Sequence, residues 1–201
     1  MTAPLDFYFD FSSPYAYIAA MRIDALAAKH GRAVNWHPML LAFAFKAIGT
    51  QPLVQYPIKG DYAYRDFLRS ARELDIPLTL PEKFPIGTVT AARAVLWLKQ
   101  HQPAQAAPFA KAIFQAYFVA GRDISAPEIV YAVAAEQGID AAALQAGCES
   151  DAIKAALKQS VDEAVSQRGV FGAPFIFADG EPFWGADRLD MLDRWLARGG
   201  W

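Results

Sequence analysis

The stretch Asp6-Phe7-Tyr8-Phe9-Asp10-Phe11-Ser12-Ser13-Pro14-Tyr15 decides the fold. Its first six residues are aromatic-rich, with polarity that alternates at the ends, which predicts a strand. Ser12-Ser13-Pro14 breaks that strand. A serine before a proline opens a helix, because the hydroxyl can cap the first turn and proline suits its start. Tyr15 to His30 follows with Tyr17, Ile18, Met21 and Leu26 near helical spacing, and Gly31 closes it. Val34 to His37 predicts a second strand, ended by Pro38. A strand, a helix and a strand in that order predict a parallel, right-handed unit.

The middle of the chain is helical in pattern from about Asp61 to Arg168. Asp61 to Leu74 sets Tyr64, Phe67, Leu68, Ala71 and Leu74 on one stripe. Thr88 to Gln102 and Ala104 to Ala120 predict two further helices, the second with Phe109, Ile113, Phe114 and Tyr117 at core spacing. Ser125-Ala126-Pro127-Glu128 matches a capping box for a helix that Gly138 ends. Asp140 predicts the cap of a short helix, and Ser150 or Asp151 opens another that runs to Arg168. The β pattern then returns. Pro174 to Phe177 predicts a strand, Asp179-Gly180 a hairpin turn, Pro182 to Trp184 the return strand, and Asp187 to Arg198 a closing helix with Leu189, Leu192 and Trp195 facing in. The order βαβ, helices, ββα is that of an α/β thioredoxin-like domain with an all-helical insertion. We place the thioredoxin-like part at 1–40 and 165–201, and the insertion at 41–164.

Composition removes several classes of function. The 201 residues are 54% hydrophobic, which excludes a disordered chain. A formal net charge of −2 gives no electrostatic case for nucleic acid or an anionic membrane. The longest apolar run, Met39 to Phe45, is too short to span a bilayer. The start Met1-Thr2-Ala3-Pro4-Leu5-Asp6 does not read as a signal peptide. With Cys148 as its single cysteine, the sequence has no internal disulfide and no CxxC redox pair. These features predict a cytoplasmic protein.

Three short motifs carry the chemistry. Ser13 stands where a strand passes into a helix, among unpaired amides with partial positive charge, which favours an anion such as a thiolate. Taken alone it reads first as a helix cap. Gly169-Val170-Phe171-Gly172-Ala173-Pro174-Phe175 leads to a proline that is cis in thioredoxin-like folds, and the backbone of the residue before it can pair with a peptide-like ligand. In Trp184-Gly185-Ala186-Asp187-Arg188, Asp187 either caps the last helix or receives a ligand ammonium group while nearby amides hold a carboxylate. The fold brings all three to one edge of the sheet.

The motifs Phe7 to Tyr15, Gly169 to Pro174 and Phe183-Trp184-Gly185-Ala186-Asp187-Arg188-Leu189 closely resemble those of the 2-hydroxychromene-2-carboxylate isomerase family. That family stands beside the kappa-class glutathione transferases and the DsbA-type oxidoreductases, whose reactive cysteine falls at the position of Ser13. The resemblance covers the whole chain and implies glutathione as cofactor. By position it implies that Ser13, followed by Pro14 and Tyr15, holds the glutathione sulfur. Ala173, before Pro174, would pair with the cysteinyl unit. Ala186, Asp187 and Arg188 would hold the γ-glutamyl end; Thr50 matches the kappa group's Gly-Asn loop, and Lys59 its following lysine, which would meet the substrate or glutathione carboxylate, with a solvated lysine as the alternative. The sequence departs from the family pattern at Thr50, Gly87 and Ala186, where relatives carry asparagine or a side-chain oxygen.

The reaction implied by the resemblance interconverts 2-hydroxychromene-2-carboxylate and trans-o-hydroxybenzylidenepyruvate, a step of aromatic-hydrocarbon catabolism. A C=C bond must rotate, and reversible addition of a thiolate permits that. The partners implied are glutathione and a small aromatic carboxylic acid, with the protein as a homodimer. Phe43, Tyr56, Tyr62, Phe84 and Trp97 are candidates to enclose the ring, with core packing as the alternative for each. Two other readings stay open: a kappa-like transferase and a non-catalytic glutathione-binding protein. Ser13 and the missing CxxC pair exclude a disulfide oxidoreductase. His37 and His101 lack metal-ligand spacing, and no metal is expected.

Overall fold

The computed structural model describes residues 3–201; Met1 and Thr2, which open the N-terminal reading above, lie outside the described residues. Strand β1 (Leu5–Phe9) leads to α1 (Pro14–Ala20), α2 (Ile23–Lys29) and β2 (Val34–Pro38). Seven helices follow: α3 (Leu41–Ile48), α4 (Lys59–Glu73), α5 (Val89–His101), α6 (Pro103–Phe118), α7 (Pro127–Glu136), α8 (Ala141–Glu149) and α9 (Asp151–Ser166). The chain returns through β3 (Phe175–Ala178) and β4 (Glu181–Trp184) to α10 (Leu189–Arg198). The sheet order is β2-β1-β3-β4, with β1 parallel to β2 and the other pairs antiparallel. This is the expected βαβ…ββα thioredoxin-like arrangement, with the helices α3 to α9 between β2 and β3. The hairpin turn forms at Asp179-Gly180, both with positive φ (54° and 89°), as a two-residue turn of this hand requires.

Alternation along β1 divides the two faces of the sheet. Leu5, Phe7 and Phe9 are fully buried, and Phe9 meets Phe114 of α6 at 5.7 Å between ring centroids. Phe114 also meets Phe11, Tyr17 and Phe118, so one aromatic cluster joins β1, α1 and the inserted helices. Tyr8 takes the other face. His37 is opposite it in register and stacks on it at 4.6 Å. Burial, then the neighbouring Lys99 charge, lowers the His37 pKa to about 4, against its Asp6 partner 3.1 Å away. The ring is therefore neutral at pH 7. Unfolding restores an ordinary value near 6.5, so the unfolded chain takes up the proton first. Stability from this site is full above about pH 6.5 and is lost as pH falls towards 4. A melting-temperature series from pH 7 to 4 is expected to fall less steeply in His37→Phe, which keeps the stacking and removes the titration.

Three local expectations are corrected. The helix read from Tyr15 to His30 is two helices: Arg22 N–H turns back to Ala19 carbonyl at 3.0 Å and closes α1 early. After the break, Arg22 pairs with Asp190 at 2.7 Å, and Lys29 and His30 both reach Asp193 on α10. The capping box at Ser125 does not form. Its hydroxyl donates to Asp123 instead, and the residue before α7 is Ala126 without a side-chain cap. Helix α3 was not foreseen, because Leu40 in front of it offers no capping side chain. The caps expected at Asp140 and Ser150 are present. Among the described residues, no helix is long and apolar enough to cross a membrane.

Candidate active site

The strand-to-helix junction places Ser13 at the N-cap of α1, in extended backbone. Its Oγ accepts from Ala16 N–H at 3.1 Å and donates to Ala173 carbonyl at 2.9 Å. The cap and the contact with the second motif are therefore made by one buried oxygen. The Ala173-Pro174 bond is cis, as expected, and Pro14 is the first residue of the helix. Pro14 has no N–H, and the Ala16 and Tyr17 amides are bonded to Ser13. Among the described residues, the Tyr15 and Ala173 amides have no acceptor. Two unpaired donors thus flank the Ser13 hydroxyl, which suits an anionic or peptide-like ligand.

Gly172 and Gly185 shape the rim. A Cβ at Gly172 would overlap the Trp184 indole, and one at Gly185 would overlap the Asp187 carboxylate. Gly185 has φ 112°, a backbone that side chains rarely adopt, and it turns the chain into the 3-10 turn Ala186–Arg188, which packs against α1. Asp187 does not cap α10. Its carboxylate is exposed, with Arg188 3.6 Å away, and the Ala186 and Asp187 amides have no acceptor among the described residues. The ammonium-and-carboxylate alternative for this motif is the one its geometry leaves open.

Tyr15 turns towards the insertion. Its hydroxyl donates to Asp66 Oδ2 at 2.5 Å, and its ring packs on Phe67 at 4.9 Å. Burial, then Asp66, push its ionisation well above the ordinary range. Asp66 also accepts from Arg69 and Tyr62, so α4 is tied to the start of α1. Thr50 and Lys59 form a separate group. Thr50 Oγ1 and the Tyr56 hydroxyl lie 2.6 Å apart, and Lys59 Nζ stands 5.3 Å from the Tyr56 ring centre. Gly60 lets this loop close, since a Cβ there would meet Val54 carbonyl at 2.6 Å. The contact with Thr50 lowers the Tyr56 pKa first, with Gln51 and Lys59 adding to it. Among the described residues, nothing bonds this group to Ser13.

The five ring candidates do not form one enclosure. Trp97 stacks on His101 at 4.5 Å and fills the space over Gly147. Phe84 packs with Tyr64, Phe67 and Phe118, behind a second cis bond to Pro85 that the sequence reading did not foresee. Phe43 and Tyr62 remain exposed, at 53% and 60%. Cys148 is buried, and burial pushes its thiol up to about 12, so it stays protonated at neutral pH.

The residue that the sequence reading missed is Asp10. It is 4% exposed and accepts from Ser12 N–H at 2.9 Å, Thr88 Oγ1 at 2.9 Å and Leu41 N–H at 2.6 Å. Its place in the motif, three residues before Ser13, was the available signal. Its partners at 41 and 88 were not deducible from spacing.

Known proteins share this sequence pattern and fold. Residues 4–197 match the family model of the DSBA-like thioredoxin domain. A 2-hydroxychromene-2-carboxylate isomerase of Sphingobium xenophagum is 32% identical over 198 residues, which cover 98% of this chain and 99% of that protein. A solved structure of a 2-hydroxychromene-2-carboxylate isomerase superposes with a TM-score of 0.86 at 30% identity, covering 96% of this chain and 94% of that one. Glutathione S-transferase kappa 1 of Caenorhabditis elegans is 36% identical over 81 residues, 40% of this chain and 36% of that protein. With the match running almost end to end, the chain belongs to the 2-hydroxychromene-2-carboxylate isomerase family, on the DSBA-like thioredoxin fold.

Proposed function

We propose that this protein is a glutathione-dependent cis–trans isomerase of a small aromatic acid, 2-hydroxychromene-2-carboxylate or a close analogue. The observation that carries the reading is the Ser13 hydroxyl, bonded to Ala173 carbonyl at 2.9 Å between two unpaired amides. That arrangement fits a cysteinyl unit, with backbone groups for its peptide and a hydroxyl for its sulfur. The chemistry glutathione supplies when bound is a thiolate, which adds reversibly to a conjugated double bond and so lets it rotate.

Ser13 has one proton to give. A ligand N–H that takes over Ala173 carbonyl releases that proton towards the sulfur, so peptide pairing and thiolate contact are coupled. A hydrogen bond to a charged partner is worth about 1.5–3 kcal/mol, and the end of a short helix adds about 0.3–1 kcal/mol. Asp187 receives the ammonium group, with the Ala186 and Asp187 amides on the neighbouring carboxylate and Arg188 alongside. Thr50 and Lys59 meet a carboxylate further out. In Lys59→Ala, calorimetry is expected to show about threefold to fivefold weaker glutathione binding, the size of a rim charge. A homodimer in the cytoplasm belongs to the same reading.

Calorimetric titration of the protein with glutathione, paired with an isomerase assay, tests the proposal. Micromolar to millimolar binding and turnover without consumption of glutathione are expected. No measurable binding overturns it. The partial match to a kappa-class transferase favours a second reading, conjugation, which product analysis separates because conjugation consumes glutathione.

A further inference from the structure

Asp10 is a buried carboxylate with no ion pair among the described residues; the Ser12 amide, the Leu41 amide and the Thr88 hydroxyl donate to it, and the Ser12 hydroxyl also stands against it. All three donors point at its oxygens: two at Oδ1 and one at Oδ2. The Ser12 and Leu41 amides can only donate, which favours the anion, while the Thr88 hydroxyl can donate or accept. Burial works the other way and raises its pKa, with the hydrogen bonds opposing it. Each donor also belongs to the start of a helix. Ser12 N–H precedes α1, Leu41 N–H is the first amide of α3, and Thr88 stands at the N-cap of α5. Neither Leu40 nor Thr88 caps its own helix with a side chain. The starts of three helices are therefore anchored on Asp10, and one of them also carries Ser13.

We propose that Asp10 is a positioning residue that fixes the Ser13 loop against α3 and α5, and whose negative charge tempers the field of the α1 terminus on the bound sulfur. The inference rests on the glutathione reading above. A thiolate must add and then leave, and nucleophilicity falls as its pKa falls, so the best thiol ionises near ambient pH. Ser13 and the α1 terminus alone would hold the sulfur too firmly as an anion. Asp10 offsets them through the protein interior. At an effective dielectric of about 20, a unit charge within about 10 Å shifts an ionisation by about one pH unit or more. The charge of Asp10 also acts on Tyr117 of α6, whose hydroxyl donates to Lys83 carbonyl at 2.8 Å. On the sulfur side stand Tyr15, paired with Asp66, and Asp187 beside Arg188.

The test is an ultraviolet pH titration of the thiolate of protein-bound glutathione in the wild type, Asp10→Asn and Thr88→Val. Asp10→Asn keeps an acceptor for Ser12 and Thr88 and loses the charge; its midpoint is expected about one unit below the wild type. Thr88→Val removes one hydrogen bond that favours the ionised carboxylate, and its midpoint is expected between those of the wild type and Asp10→Asn. A midpoint that is unchanged or higher in Asp10→Asn, or lower in Thr88→Val than in Asp10→Asn, overturns the proposal. If Asp10→Asn does not fold, the wild type still decides. A midpoint within about one unit of pH 7 supports tempering, and one below about pH 5 overturns it. Absence of glutathione binding by the wild type would instead overturn the functional reading.

Discussion

Ser13→Ala is expected to lose about thirtyfold in kcat/KM, measured in an isomerase assay at saturating glutathione. The loss follows from one hydrogen bond to a thiolate, about 2 kcal/mol. The same oxygen caps α1 through Ala16 N–H, so the variant is also expected to lose about 1 kcal/mol of stability. Ser13→Gly separates the two roles. Glycine is nearly as good a cap as serine, so its melting temperature recovers most of the difference while its activity stays as low as that of the alanine variant. Full activity in Ser13→Ala would refute the thiolate contact and leave the fold untouched. Recovery of activity along with stability in Ser13→Gly would reduce Ser13 to a cap.

Phe114→Ala is expected to destabilise the protein by about 4 kcal/mol, the cost of removing a fully buried phenylalanine. For a chain of this size that corresponds to a fall of about 8–16 °C in melting temperature. Phe114 lies on α6, in the insertion, yet packs on Phe9 and Phe11 at 5.7 and 4.8 Å and on Tyr17 at 5.9 Å. Those residues shape the strand end and the helix that carries Ser13. Thermal unfolding followed by far-ultraviolet and aromatic signals should stay a single transition, shifted in both. A first transition in which only part of the helical signal is lost would show that the insertion unfolds by itself.

The same contacts explain how much of the site could be read from residues. The Ser13-Pro14 junction and the Asp179-Gly180 turn were legible because each depends on the backbone preferences of adjacent residues, and the Ala173-Pro174 cis bond because thioredoxin-like folds carry one at that place. Helix α3 was not legible, because the donor at its first turn bonds to Asp10, thirty-one positions away. The break at Met21-Arg22 was hidden for a related reason. The apolar spacing of Tyr15 to Leu26 fits one helix, and the second helix makes its ion pairs with Asp190 and Asp193 near the other end of the chain. The packing of Trp97 and Phe84 was hidden on a different ground. Spacing marks an aromatic residue as apolar but does not say which neighbour covers it, and for Trp97 that neighbour is Gly147.

The sequence by itself determined the order of elements, the three motifs and the family, because local preferences and motif identity travel along the chain. Only the tertiary structure decided what each motif touches. It joined the Ser13 hydroxyl to the Ala173 carbonyl across 160 positions, left the Asp187 carboxylate exposed at the rim, and gathered three helix ends on Asp10. Hydrogen bonds and buried charges act over a few ångströms of space, and distance along the chain carries no record of which residues that space will bring together.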